Sequence, residues 1–242
     1  MLKTKKIDNW QRYFQKYNQN KLALHFSTLA RENIFHTLNK LILNKKKHKN
    51  LKILDFGVSD SSNKDANPFL KFLNKKKRNT IYGCGLDEVS DVKKNYKNLN
   101  YTKIIQNKNL PYKDNYFHIS LSHAVFEHVG GDKNKIFYLS ELIRVSENIF
   151  ISIPNRYFPI EHHSNIPFLG YLPKKIIYKL LSFFNYDIFK SEKSLTFNSI
   201  NQFKKYISYI KVNKNIKLEF GYTGLKLGFF SSHFYIFIRK QK

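Results

Sequence analysis

Apolar and polar positions along this chain fall into blocks whose period changes from helical to strand-like and back, and that alternation predicts its elements. Residues 22–43 place Leu29, Ile34, Leu38 and Leu41 on one face with Phe35 beside them, the spacing of an amphipathic helix. Short apolar runs follow at 51–56, 80–86, 101–105, 116–122 and 148–153, each bounded by Gly, Pro, Asn or Asp, and these read as strands. Between them, 68–75 begins with proline at a first helical turn, and 133–145 carries Ile136, Leu139 and Ile143 on one stripe before Arg144. Strands and helices at this spacing build βαβ units, so the fold class is α/β, a Rossmann-like, doubly wound and mostly parallel sheet.

The pattern loosens after Pro154. Residues 155–198 hold three of the six prolines and a basic amphipathic segment at 173–184, and they read as a cap over the sheet's C-terminal edge. A helix at 199–210 and two closing strands at 216–220 and 233–239 complete the chain, the last alternating enough to run antiparallel near an edge. The division is residues 1–50 as an arm and helix packed on the domain, and 51–242 as the domain with its cap.

Composition changes this picture in three ways. One cysteine, Cys84, lies in a buried strand and excludes an internal disulfide framework, which suits a cytoplasmic location. No uncharged apolar run approaches the ~18 residues that span a bilayer. The 43 Lys and Arg against 17 Asp and Glu give a formal charge of +26, which suggests nucleic acid or an anionic membrane as a partner. The lysines, however, run from Lys3 to Lys242 among many Asn, Ile, Tyr and Phe, the signature of A/T-rich coding rather than of one basic face.

In an open parallel sheet, ligands bind beyond the C-terminal strand ends, where the strand order reverses. The segment LKILDFGVSD, 51–60, delivers Asp55 and Gly57 to that edge, and glycine permits close backbone approach. Asp87 ends the second strand, placed to accept hydrogen bonds from ribose hydroxyls. Gln106 and Asn107 follow the third strand, where an amide oxygen meets an exocyclic amine, and Ser122 and His123 leave the fourth. Ser59 and Ser61 stand where a dinucleotide site would need further glycines, so the turn suits a nucleoside without a pyrophosphate.

These residues carry a resemblance. ILDFGVSD, GLDEVSD, NLPYKDNYF, AVFEHV, ELIRVS and IPNRYFPIEHHS are similar to the motif series of class I S-adenosylmethionine-dependent methyltransferases, over roughly 53–155. The resemblance implies a seven-stranded sheet with its last strand antiparallel, S-adenosylmethionine as cofactor, and methyl transfer to a nucleophile. It assigns Asp55 and Gly57 to the first motif, Asp87 to the ribose, and Leu110 with Pro111 to the loop after the adenine contact. The chain departs from the pattern at Gln106, where an aspartate is usual, at His118, and at SENIF, which lacks a Pro-Gly-Gly turn.

On the acceptor side the sequence offers Arg156 and Tyr157 as substrate contacts, and Glu161 and His163 as a pair for proton transfer, since histidine is the usual base near neutral pH. Glu127 and His128 read as braces of the loop after the fourth strand. No metal is expected, because His162 and His163 are adjacent and no His or Cys pair has ligand spacing. The expected acceptor is a small molecule, a sugar or a lipid-linked compound; 173–184 reads first as a cap helix packing its apolar face on the domain, with peripheral membrane contact as the alternative. Two alternatives remain: an RNA or DNA methyltransferase, though no Asn-Pro-Pro-Tyr signature is present, and a non-catalytic binding module of the same fold.

Overall fold

The computed structural model describes residues 21–43, 50–60, 66–74, 79–210 and 216–241. The arm at 1–20 and the loop residue Ser61 lie outside them. The elements in chain order are α1 (Lys21–Leu38, continued by a π-helical turn, Asn39–Leu43), β1 (Lys52–Phe56), α2 (Pro68–Leu73), β2 (Thr80–Gly85), α3 (Asp91–Asn95) and β3 (Asn100–Lys103). Then come β4 (Ile119–His123), α4 (Asp132–Val145), β5 (Asn148–Pro154), α5 (Lys174–Phe183), α6 (Ile200–Tyr209), β6 (Ile216–Leu227) and β7 (Phe230–Lys240). The strands form one sheet in the order β3-β2-β1-β4-β5-β7-β6. β7 runs antiparallel to both its neighbours, and the remaining β-pairs are parallel.

Strand period two divides the core into layers. Ile53, Ile119, Leu121 and Phe150 face Ile34, Leu38, Phe69 and Leu73 of α1 and α2, while Ile149, Ile151, Ile153 and Phe234 face Leu139, Leu142 and Phe203 of α4 and α6. The central strands are buried on both faces, as a sheet covered on both sides requires, with small serines of β4 and β5 among the apolar side chains. The cap builds a small core of its own from Leu169, Ile177, Leu181, Phe189, Leu195 and Phe197. α6 starts in a capping box, with Ser199 accepting from the Gln202 N–H and Gln202 answering on the Ser199 N–H.

Three boundaries differ from the sequence expectation. β6 runs to Leu227 instead of 220, because a tight hairpin with a bulge between Thr223 and Lys226 keeps it paired with β7. β4 begins at Ile119, with Phe117 making only an isolated bridge to Ser146. The short α3 had no apolar period to announce it; its N-terminal N–H groups are instead satisfied from a distance by Asp60. One Asp60 oxygen accepts from the N–H groups of Asp91 (2.9 Å) and Val92 (3.1 Å), and the other accepts from Ser90 N–H and Oγ. Burial opposes its ionisation, yet these donors hold the carboxyl below its ordinary range.

The loop after β3 is strapped to α4 by a charged pair. Glu141 accepts the Leu110 N–H at 2.7 Å and two bonds from Arg144, whose guanidinium also reaches the carbonyls of Leu110 and Tyr112 and the Asp114 carboxylate. Burial pushes the Glu141 carboxyl up, but Arg144 and the Leu110 N–H outweigh it and hold it ionised. Glu141→Ala is expected to lower stability by about 2–3 kcal/mol in urea denaturation, the range for hydrogen bonds to a charged group, with faster amide exchange at 110–114. Wild-type stability in that variant would show that the strap contributes nothing.

Candidate functional site

The C-terminal ends of β1 and β2 meet at one carbonyl. Gly57 N–H and Val58 N–H both donate to Cys84 O, at 2.8 and 2.9 Å. Gly57 has φ +98°, where a side chain is strained, and a Cβ there would collide with Val125. A Cβ on Gly85 would strike the Val58 carbonyl. The first turn therefore lies directly on the end of β2. Beyond it the chain is fixed again, because Asn67 bonds Ser59 twice, its Oδ1 accepting the Ser59 N–H and its Nδ2 donating to the Ser59 carbonyl.

Phe56 pairs with Cys84, so Gly57 sits opposite Gly85, two residues before Asp87. Gly57 and Asp87 thus occupy neighbouring strand ends. Asp87 is exposed, and its backbone carbonyl is held by the Tyr101 hydroxyl at 2.6 Å. Two large apolar side chains stand open beside it, Leu86 after β2 at 54 % and Ile105 after β3 at 61 %. Gln106 and Asn107 are exposed next to Ile105, with Asn107 in the left-handed region. An exposed acid and two unburied apolar side chains at adjacent strand ends match a ribose and a flat base better than a phosphate, which needs clustered N–H donors.

Asp55 lies beneath this edge, 7 % exposed, and burial raises its carboxyl to about 8 against one opposing bond from the Leu70 backbone. It is held protonated at neutral pH. Three other residues expected on the cofactor side are engaged within the protein itself. Leu110 is buried in the cluster of Leu54, Cys84, Phe117 and Val145, and only its backbone is used, by Glu141 and Arg144. Ser122 is fully buried, its Oγ near the Phe56 carbonyl at 3.4 Å. His123 bonds Ser152 through Nδ1 at 2.8 Å and packs against Phe69 and His233, so desolvation lowers it to about 3 and keeps it neutral. Alternation along β4 aims Ser122 and His123 into opposite layers, which a sequence position at a strand end does not reveal.

The residues expected on the acceptor side lie where the loop after β4 meets the loop after β5. Arg156 stacks over Tyr157 and donates to the carbonyls of Gly170 and Leu172, so its charge fastens the cap, and Tyr157 is exposed at 46 %. Glu161 is buried and receives four donors: His163 Nδ1 at 2.9 Å, the N–H groups of His163 and Ser164, and Ser164 Oγ. Burial raises its carboxyl, but His163 and these bonds outweigh that and hold it at about 2. Glu161 is thereby held ionised and fixes the orientation of His163.

Glu127 and His128 are more than braces. Bracing is done by the Glu127 carbonyl, which accepts Thr196 N–H and Oγ1. The Glu127 carboxylate is 1 % exposed, and neither oxygen has a hydrogen-bond partner among the described residues. Burial pushes it up to about 7, with the His163 charge acting against that. His128 Nδ1 meets the Ser194 carbonyl at 2.7 Å, and its Nε2 lies 3.3 Å from His163 Nε2. A cavity of about 20 Å³, room for roughly one water, is lined there by Glu127, Asn155, Arg156, Glu161 and His163. Sequence spacing gave no signal for this cluster, because its members lie on two loops 35 positions apart.

Compared with known proteins, the chain matches no family model, and no curated protein matches it. Solved structures do align along nearly its whole length. The plantazolicin methyltransferase BpumL in complex with SAH is 17 % identical with a TM-score of 0.57, over 97 % of this chain and 91 % of that one. A Thermotoga maritima SAM-dependent methyltransferase, described as a possible histamine N-methyltransferase, is 14 % identical with a TM-score of 0.55, over 95 % and 97 %. A SAM-dependent methyltransferase from Aquifex aeolicus is 14 % identical with a TM-score of 0.50, over 94 % and 96 %. The fold is that of the class I S-adenosylmethionine-dependent methyltransferases, with the strand order and antiparallel last strand expected of it.

The buried Asp55 makes stability depend on pH with a definite sign. Its folded value of about 8 lies above the ordinary 3.8, so between those values the unfolded chain is ionised while the folded protein keeps the proton. Stability falls as pH rises through that window, by at most about 1.4 kcal/mol per pH unit for one group. Asp55→Asn is expected to flatten this slope between pH 5 and 8 and to exceed wild type in stability at pH 8. Parallel curves for the two proteins in denaturant titrations would refute the assignment.

Proposed function

We propose that the protein is an S-adenosylmethionine-dependent methyltransferase acting on a small-molecule, sugar or lipid-linked acceptor. One observation carries the reading: the exposed Asp87 carboxylate, flanked by Leu86 and Ile105, stands across from the close-approach turn at Gly57. The residues fit an adenosyl group, with Asp87 for the ribose hydroxyls, Leu86 and Ile105 for the faces of the base, and Gln106 and Asn107 for its edge. The Gly57 turn leaves room for the amino-acid portion to approach the backbone closely, with Ser59 behind it held by Asn67. When bound, the cofactor supplies an electrophilic methyl on a positively charged sulfur, and transfer needs alignment in a site shielded from water more than it needs acid or base.

The chain's own part is positioning. Val125 and the Gly57 turn wall one side of the crevice, and the cap closes the acceptor side through Arg156 and the Gly170 carbonyl. Glu161 and His163 belong to the acceptor side in this reading, with Glu161 orienting His163. A cationic ligand near Asp55 favours the ionised carboxylate, so binding near neutral pH is expected to expel its proton.

Isothermal titration with S-adenosylmethionine is the direct test. Binding in the micromolar range is expected, with about tenfold or greater weakening in Asp87→Ala, or ~1.4 kcal/mol and more. Well-folded protein that binds neither the cofactor nor SAH would end this reading and leave a binding module of the same fold.

The lipid-linked form of the acceptor draws support from α5. Its Ile177 and Leu181 are buried in the cap core, yet Ile176, Phe183 and Phe184 are exposed at 46, 75 and 49 %, among Lys174, Lys175 and Lys179. That is the dress of a helix lying on an anionic surface. No helix among the described residues is long and apolar enough to cross a membrane. Sedimentation with vesicles containing phosphatidylserine is expected to carry the protein down, and the double variant Phe183→Ser/Phe184→Ser to lose severalfold affinity. Equal binding by both proteins would remove α5 from the argument. The charge of +26 keeps nucleic acid as a second reading, for which binding to a duplex must show a steep inverse salt dependence.

A further inference from the structure

The cluster of Glu127, His128 and His163 gathers a carboxylate and two imidazoles, and neither Glu127 oxygen has a hydrogen-bond partner among the described residues. We propose that it is a divalent transition-metal site of the zinc class, with one Glu127 carboxylate oxygen, His128 Nε2 and His163 Nε2 as ligands. The site stands on these side chains alone and does not depend on the methyl-transfer reading.

Hydrogen bonding sets the tautomers. His163 Nδ1 faces the Glu161 carboxylate and His128 Nδ1 faces a backbone carbonyl, and both of those partners are acceptors, so each Nδ1 carries the hydrogen. In the neutral rings each Nε2 is then a lone-pair nitrogen, and the two lone pairs point together across 3.3 Å. A cation must sit between them. In a tetrahedron with zinc–nitrogen bonds of ~2.0–2.1 Å, neighbouring ligand atoms lie ~3.3–3.4 Å apart, which is the spacing of this pair. Glu127 completes the set, with all three donor atoms within 4.8 Å of one another.

The surroundings fit a metal better than a proton. One proton on His163 satisfies the two imidazoles but leaves Glu127 a buried carboxyl without a hydrogen-bond partner among the described residues, a costly arrangement. A divalent ion balances Glu127 and Glu161 together, with both histidines neutral. Each ligating ring also has its outer nitrogen anchored, His163 by a carboxylate and His128 by a carbonyl, the arrangement that orients metal-bound histidines. Two imidazoles favour zinc and its first-row neighbours over magnesium or calcium. The adjoining cavity of about 20 Å³ leaves a fourth position for water or an acceptor oxygen.

The test uses the full chain stripped with a chelator, reloaded with zinc and desalted, with metal counted by mass spectrometry. Close to one zinc per chain is expected in wild type and in His36→Gln, which removes an exposed histidine elsewhere. Glu127→Gln and His163→Gln are expected to retain at least tenfold less. Glu161→Gln, acting through His163, is expected to weaken zinc affinity about 10–100-fold without abolishing it. Cobalt in place of zinc reports the same ligands by visible absorption, intense in wild type and lost in Glu127→Gln. Should His163→Gln fail to fold, Glu127→Gln, which changes no volume, carries the decision. Wild type that keeps no zinc, or a Glu127→Gln protein that keeps as much as wild type, overturns the proposal and leaves a shared proton as the occupant.

Discussion

Two backbone N–H groups converging on the Cys84 carbonyl fix the geometry from which the rest of this molecule follows. With Gly57 and Val58 both bonded there, the chain leaving β1 must lie against the end of β2, and Gly85 is the residue that makes room for it. Val58 is then driven into the cluster of Leu70, Val92, Tyr96 and Leu99, and this packs α2 and α3 on the same face. Asp60 completes the turn by holding the start of α3. The turn after β1 is therefore held by backbone bonds, while Asp87, Leu86 and Ile105 stand exposed at the neighbouring strand ends.

The cap solves a different problem. It adds no strand to the sheet, and beside a few backbone bonds such as Asn155 N–H to Ser232 O it is held by side chains that bond backbone: Arg156 on Gly170 and Leu172, Tyr178 on Leu195, Tyr186 on Ser164, and Thr196 on Glu127. This network brings the loop after β5 over the loop after β4. Its consequence is a buried polar centre at Glu127, His128 and His163, in which the Glu127 carboxylate has no hydrogen-bond partner among the described residues. Native interiors seldom leave a carboxylate so placed, and where they do, a ligand or an ion is the usual reason.

Buried ionisable groups at the two centres are tuned in opposite ways. Asp55 has burial and little against it, and so keeps its proton. Glu161 has equal burial but four donors, and so loses it. His123, His162 and His233 are all desolvated and lowered, which leaves the middle of the sheet edge neutral despite its many histidines.

The sequence by itself determined the sheet. Apolar runs of period two, a helical stripe at 133–145 and the glycine and aspartate after the first run are local signals, each set by a few residues in a row, and they located Gly57 and Asp87 on neighbouring strand ends. Only the tertiary structure decided which side chains there are open. Leu110 and Ser122 are absorbed by the core, Arg156 by the cap's carbonyls, and Glu161 by His163, because burial and partner choice depend on residues far away in the chain. The Glu127, His128 and His163 cluster was invisible for the same reason: its ligand spacing exists in space, across loops joined by the packing of the cap, and has no period along the sequence.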